Sequence, residues 1–234
     1  MDGLLRESQY SEALRWDGFV EVMPRENLPS QWPTELYIFS TPEGLMLGLR
    51  CVDPEPRRMK LERFRRDEVA DADLVYVGLD PTGEAKQAVF VIITPRNDVS
   101  DGLYDMTGGT TSTSFDFLFK HGARLTDNGW EAEVFIPFSS LSFLPAKESR
   151  MLLTVKRHLP REDFYVLNAV PYDRTSEDPR NGAVQLVVDS SGVEPARRWH
   201  LIPAWVGSHL RQQGLMTDTS ASGSLGVTGE WQPR

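Results

Sequence analysis

Residues 127–141, Asp-Asn-Gly-Trp-Glu-Ala-Glu-Val-Phe-Ile-Pro-Phe-Ser-Ser-Leu, constrain the fold more than any other stretch of this chain. Asn128-Gly129 is a strong two-residue hairpin signal, because both positions tolerate positive φ. Downstream the pattern has a period of two. Trp130, Ala132, Val134 and Ile136 share one face of a strand, and Glu131, Glu133 and Phe135 share the other. Pro137 has no N–H to give to a ladder, so the strand ends there, and Phe138 and Leu141 enter a short turn that plugs an apolar end. This is a half-buried antiparallel strand with one packed face and one wet face.

Short apolar runs punctuated by turn residues recur along the chain. Strands are predicted over 18–23, 34–40, 45–52, 74–79, 88–94, 103–106, 115–125, 130–136, 152–157, 164–170 and 183–188. The Gly-Gly-Thr-Thr-Ser-Thr-Ser run at 108–114 reads as a mobile surface loop. Residues 4–14 have room for one or two helical turns, and 57–69 are charged without an apolar stripe. Many short strands with few helices define an all-β chain, a sandwich or a barrel. With 40% hydrophobic and 25% charged residues, a packed core can form.

A net charge of −9 argues against a nucleic-acid binder and against a protein held on anionic lipid by charge. Cys51 is the one cysteine, so no intrachain disulfide can form, and it reads as a small buried thiol with no base beside it. No apolar run reaches the roughly 18 residues of a membrane helix. Met1-Asp2-Gly3-Leu4 lacks the basic and apolar stretches of a signal peptide, so an exported form would carry its leader outside these residues.

A polar linker at 190–196 divides a domain over 1–189 from a tail over 197–234. In the tail Trp199, Leu201, Pro203 and Trp205 alternate with His200, Ile202, Ala204 and Val206. Leu225, Val227 and Trp231 oppose Ser224, Thr228 and Glu230. Membrane β-barrel strands alternate in this way, as do edge strands of a soluble sheet. Two strands close no barrel, so the 234 residues are expected to be the front of a longer protein.

In order and spacing, several segments resemble family 9 carbohydrate-binding modules. They are Asp2-Gly3 with Trp16, the run from Thr34 to Ile38, the run from Gly44 to Asp53, the run from Asp73 to Asp80, Ser114-Phe115-Asp116, and 129–143. The likeness covers roughly residues 2–189. It implies an antiparallel jelly-roll-like β-sandwich, related to DOMON-like sandwiches, and a non-catalytic role. The subset of such domains that precede an outer-membrane β-barrel implies a bacterial cell-envelope location, periplasm or outer membrane. Sugar-binding members clamp a saccharide between two tryptophans, a contact that makes sense because C–H faces of a pyranose stack on aromatic rings and buried hydroxyls need partners. Here those two positions read Ala70 and Ser176, although Asp178-Pro179 is retained. The scaffold carries over and the clamp does not.

The candidate ligand contacts are therefore Trp32, in a proline-rich loop, Tyr104 and Tyr172, near loops, and Asp178. For Trp32 a loop-anchoring role competes. Asp71 and Asp73 stand among carboxylates at sheet ends, where a structural calcium would find oxygens, and turn and capping roles compete there. The four histidines have no zinc spacing, and no nucleophile elbow or phosphate loop occurs. DOMON-like relatives of this sandwich sometimes hold haem through a Met or His, for which Met106 and His121 could be proposed, but nothing in the sequence singles them out. The expectation is a non-catalytic module binding a glycan or similar polar ligand, without cofactor. The rival is a structural or interaction domain attached to an outer-membrane barrel without sugar binding.

Overall fold

The computed structural model describes residues 1–66, 68 and 71–193, together with the backbone of 202–209 and 221–228. The first compact unit, 1–195, is an antiparallel β-sandwich. Its smaller sheet runs, in spatial order, β1 (Leu14–Trp16), β4 (Thr34–Thr41), β5 (Gly44–Val52), β11 (Gly129–Pro137) and β10 (Lys120–Thr126). Its larger sheet runs β3 (Leu28–Pro29), β2 (Val20–Met23), β13 (Phe164–Asn168), β12 (Ser149–Pro160), β6 (Leu74–Asp80), β7 (Gln87–Ile93), β8 (Val99–Asp105) and β9 (Thr110–Ser112). The first half of β12 also pairs with β14 (Val184–Val188).

The period-two pattern decides which side chains meet. Leu47, Leu49, Trp130, Val134 and Ile136 of the small sheet face Val75, Val77, Val91, Leu153 and Val155 of the large one, all with almost no exposure. Removing this apolar surface from water is the main force holding the layers together. Cys51 is buried in the same layer, as its neighbours predict.

Three local features differ from the sequence reading. The turn before β11 is centred on Asp127-Asn128, since Thr126 pairs with Gly129 across the hairpin. Gly129 is needed for a different reason: a Cβ there would lie 2.0 Å from the carbonyl oxygen of Cys51 on the neighbouring strand. Second, the face carrying Glu131 and Glu133 is not wet, because the N-terminal segment lies across it. Glu133, only 2% exposed, accepts from the Gly3 N–H at 3.0 Å and the Tyr10 hydroxyl at 2.8 Å, and Glu131 accepts from the Leu5 N–H at 2.9 Å. The short 3-10 turn Ser8–Ser11 delivers Tyr10 to this position. Third, Thr110–Ser112, within the predicted loop, forms the edge strand β9 on β8.

In the second unit, 196–234, β15 (Ile202–His209) and β16 (Ala221–Thr228) form an antiparallel pair in which Trp205 stands opposite Leu225. Trp199, Leu201 and Trp231 lie outside the described residues, as does Ala70.

Candidate functional site

The outer face of the large sheet carries a row of aromatic side chains, and the pleat places them. Tyr76 on β6, Phe90 on β7, Tyr104 on β8, Lys156 and His158 on β12, and Phe164 on β13 all alternate with core residues. Glycine makes room on this face. A Cβ on Gly78 would stand 2.9 Å from the Tyr76 ring, and one on Gly102 would stand 3.0 Å from the Phe90 ring. Tyr76 therefore leans over Gly78 and stacks on Phe90, with centroids 5.7 Å apart and planes 19° apart. Burial, and the proximity of Tyr104, push the Tyr76 hydroxyl's pKa up, so it stays protonated as a donor.

Beside Tyr76, as its Cα partner across the strands, stands Lys156. The stem of Lys156 lies in the sheet face and its ammonium sits 5.5 Å from the centroid of the Tyr172 ring. Tyr172 is held by its backbone: its N–H donates to Asn27 Oδ1 at 2.8 Å, and its carbonyl accepts from Asn27 Nδ2 at 2.9 Å. Gly182, at φ +76°, lets the ring lie flat, since a Cβ there would meet it at 2.8 Å. His158 packs edge-on against the exposed Phe164, 5.5 Å between centroids. Burial, with Lys156 adding to it, lowers the His158 pKa to about 4, so this imidazole is neutral at neutral pH.

The structure thus brings Tyr104 and Tyr172 onto one face and leaves the other candidates elsewhere. Trp32 packs on Tyr165, 4.6 Å between centroids, and both rings lie against the core. Asp178 is exposed in the turn after Tyr172, where its carboxylate accepts from the Arg180 N–H at 2.9 Å. Ser176 is in the same loop, whose aromatic contribution is Tyr172. The sequence reading missed Tyr76, Lys156, His158 and Phe164. Their alternation with the valines and leucines of the core was the signal that could have found them.

Asp73 is buried and accepts from Arg161 at 2.8 and 3.0 Å and from the Lys60 N–H at 2.7 Å, while Asp71 pairs with the Lys60 ammonium. Arg161 also bridges to Asp53. Both carboxylates proposed for calcium are thus engaged by cations. Among the described residues, the carboxylates that converge in a group of three are Asp2, Glu7 and Glu133. A cavity of about 330 Å³ lies at another edge, lined by Arg66, Asp116, Phe119 and His121. Its charges are already matched, since Arg66 reaches both Asp101 and Asp116, and His121 is bonded to Asn97. Met106 follows β8 in the large sheet, whereas His121 is on β10 in the small one.

No protein-family profile matches the chain, and no curated protein matches it. Solved structures do. A family 9 carbohydrate-binding module from Caldicellulosiruptor kristjanssonii, in complex with cellotriose, superposes with a TM-score of 0.56 at 15% identity, over 85% of this chain and 94% of that one. The same type of module with glucose gives 0.55 at 15% identity, over 79% and 88%. A candidate carbohydrate-binding protein from Bacteroides uniformis gives 0.55 at 12% identity, over 76% and 87%. The chain shares the β-sandwich fold of these modules.

Proposed function

We propose that this chain is a non-catalytic carbohydrate-binding module that takes a glycan on the outer face of its large sheet. The observation that carries the reading is the row of Tyr76, Tyr104, Tyr172 and Phe164 beside Lys156 on one face of a sandwich whose structural neighbours were solved with cellotriose and glucose. Aromatic rings offer the flat apolar surface that a pyranose face covers, and the tyrosine hydroxyls and the ammonium offer hydrogen bonds to its hydroxyls. No step of bond breaking is assigned to the face. Calorimetric titration with soluble fragments of xylan, cellulose, chitin and peptidoglycan tests the reading. Binding to at least one fragment, weakened about tenfold or more by Tyr172→Ala, supports it. Absence of binding to every glycan offered overturns it.

A second reading rests on the β15–β16 hairpin with its alternating residues. In it the sandwich is the interaction domain of an outer-membrane β-barrel protein in a bacterial cell envelope. A gene that continues for many more alternating strands, and recovery of its product in the outer-membrane fraction, would support it. A product that fractionates with the cytosol would remove it.

A further inference from the structure

We propose that the ligand of the aromatic face is an acidic glycan, whose anionic ring substituent, carboxylate or sulfate, is received by Lys156. The inference rests on the glycan-binding reading above and adds the chemical class. Lys156 stands in the middle of the face: Tyr76 is its partner on one side, Asn168 its partner on the other, and Tyr172 lies under its ammonium. Among the described residues no carboxylate pairs with it, and its pKa is lowered by burial. A lysine held this way loses hydration and gains no anion from the described residues in return.

The surroundings single out this lysine. The chain is acidic, with 34 Asp and Glu against 25 Lys and Arg, yet the outer-face positions of β6, β7, β8, β12 and β13 carry a single carboxylate. That carboxylate, Asp80, is spent on its own turn, accepting from the N–H groups of Thr82, Gly83 and Ala85 and from the Thr82 hydroxyl. The neighbouring His158 is neutral, so it neither competes for an anion nor repels the lysine. Asn168 directs its amide to the carbonyls of Val170 and Gly182, which fixes the loop that carries Tyr172. A saccharide lying on Tyr76 and Tyr172 would bring a ring substituent to the ammonium between them. An anion there gains a charge-assisted hydrogen bond in a partly desolvated place, where such bonds are strongest.

The test is calorimetry on the whole chain with three probes that share the galactose configuration: oligogalacturonate, a sulfated galactan oligosaccharide, and the neutral, unsulfated galactan oligosaccharide. At low salt at least one acidic probe is expected to bind about tenfold or more tighter than the neutral one, and which of the two does so identifies the substituent. The preference should shrink as salt is raised, a readout that needs no variant. Lys156→Gln should abolish the acidic preference, bringing the affinity for the acidic probe down to that for the neutral one, with folding checked by circular dichroism. Equal affinity for neutral and acidic probes, insensitive to salt, overturns the acidic-glycan inference and leaves the glycan-binding reading standing. Failure of both acidic probes, in a folded protein that binds one of the neutral fragments named above, overturns the acidic-glycan inference alone, and failure of all three probes and of every fragment named above overturns both.

Discussion

Asp73 and Arg161 meet where water is nearly absent, with side-chain exposures of 0% and 6%. Removing one member of such a pair leaves the other charged and undersolvated, so Asp73→Ala is expected to cost about 3–5 kcal/mol in urea unfolding. A loss below about 1 kcal/mol would mean that Asp53 alone satisfies the arginine. His158 gives a second residue-level prediction, with a definite sign. Its pKa is about 4 in the fold against an ordinary 6.5, so below pH 6.5 the unfolded chain binds the proton and the native chain does not. Stability is therefore lost as pH falls from about 6.5 toward 4. Between pH 7 and 5 this one group should account for about 2 kcal/mol. In urea unfolding at the two pH values, His158→Gln should shrink the acid loss by that amount; an unchanged loss would refute the assignment. Cys51 belongs here too: burial pushes its thiol up to about 11, so a thiol reagent at pH 8 should label it only after denaturant is added. Cys51 was readable as a buried thiol because its apolar neighbours are adjacent in sequence. The arginine that meets Asp73 lies 88 residues away, and carboxylate spacing alone carries no trace of it.

Among the elements, strands that turn one side to the core were legible because period two is written in neighbouring residues. Trp130, Val134 and Ile136 go inward as their alternation requires. The N-terminal clip over Glu131 and Glu133 was not, since nothing in its irregular polar pattern names the surface it covers. A glutamate on a strand reads as solvated until something donates to it. Gly48 is what lets the clip seat: a Cβ there would come 2.6 Å from the Tyr10 ring and 2.8 Å from Leu5. Gly48→Ala should therefore loosen residues 1–11 and expose them to limited proteolysis, while the sandwich stays folded. Equal resistance in the two proteins would show that Tyr10 can shift without releasing the segment. The same reasoning explains why the aromatic face escaped the sequence reading. Tyr76 and Lys156 were seen as parts of strands, and only the pairing of β6 with β12 makes them neighbours.

At the scale of the molecule, the question is which part of the chain is needed to close the core. The inner faces of the two sheets are completed by β14, which sets Leu186 and Val188 into the apolar layer, and Val193 packs against its edge. After β14 the backbone is tied back once more. Ser190 donates its N–H to the Ala146 carbonyl at 2.9 Å, and its hydroxyl meets that of Ser149 at 2.7 Å. Among the described residues, every buried apolar side chain of the core thus comes from before 195. The reading of a domain ending near 189 followed from the polar composition of the next residues, which cannot reveal that Ser190 and Val193 still belong to the packing. A chain ended after Pro195 keeps every described core contact and should unfold in one cooperative transition, with a midpoint within about 3 °C of the full chain. One ended after Val188 loses the Ser190 bonds and the Val193 contact and should melt lower, by several degrees if those contacts are worth about 1–2 kcal/mol together. If the shorter form melted with the longer, Ser190 and Val193 would be ornaments on a sandwich closed by β14. If the longer form lost cooperativity, the tail would have to supply part of the core, and the sandwich would not be the independent unit that its packing describes.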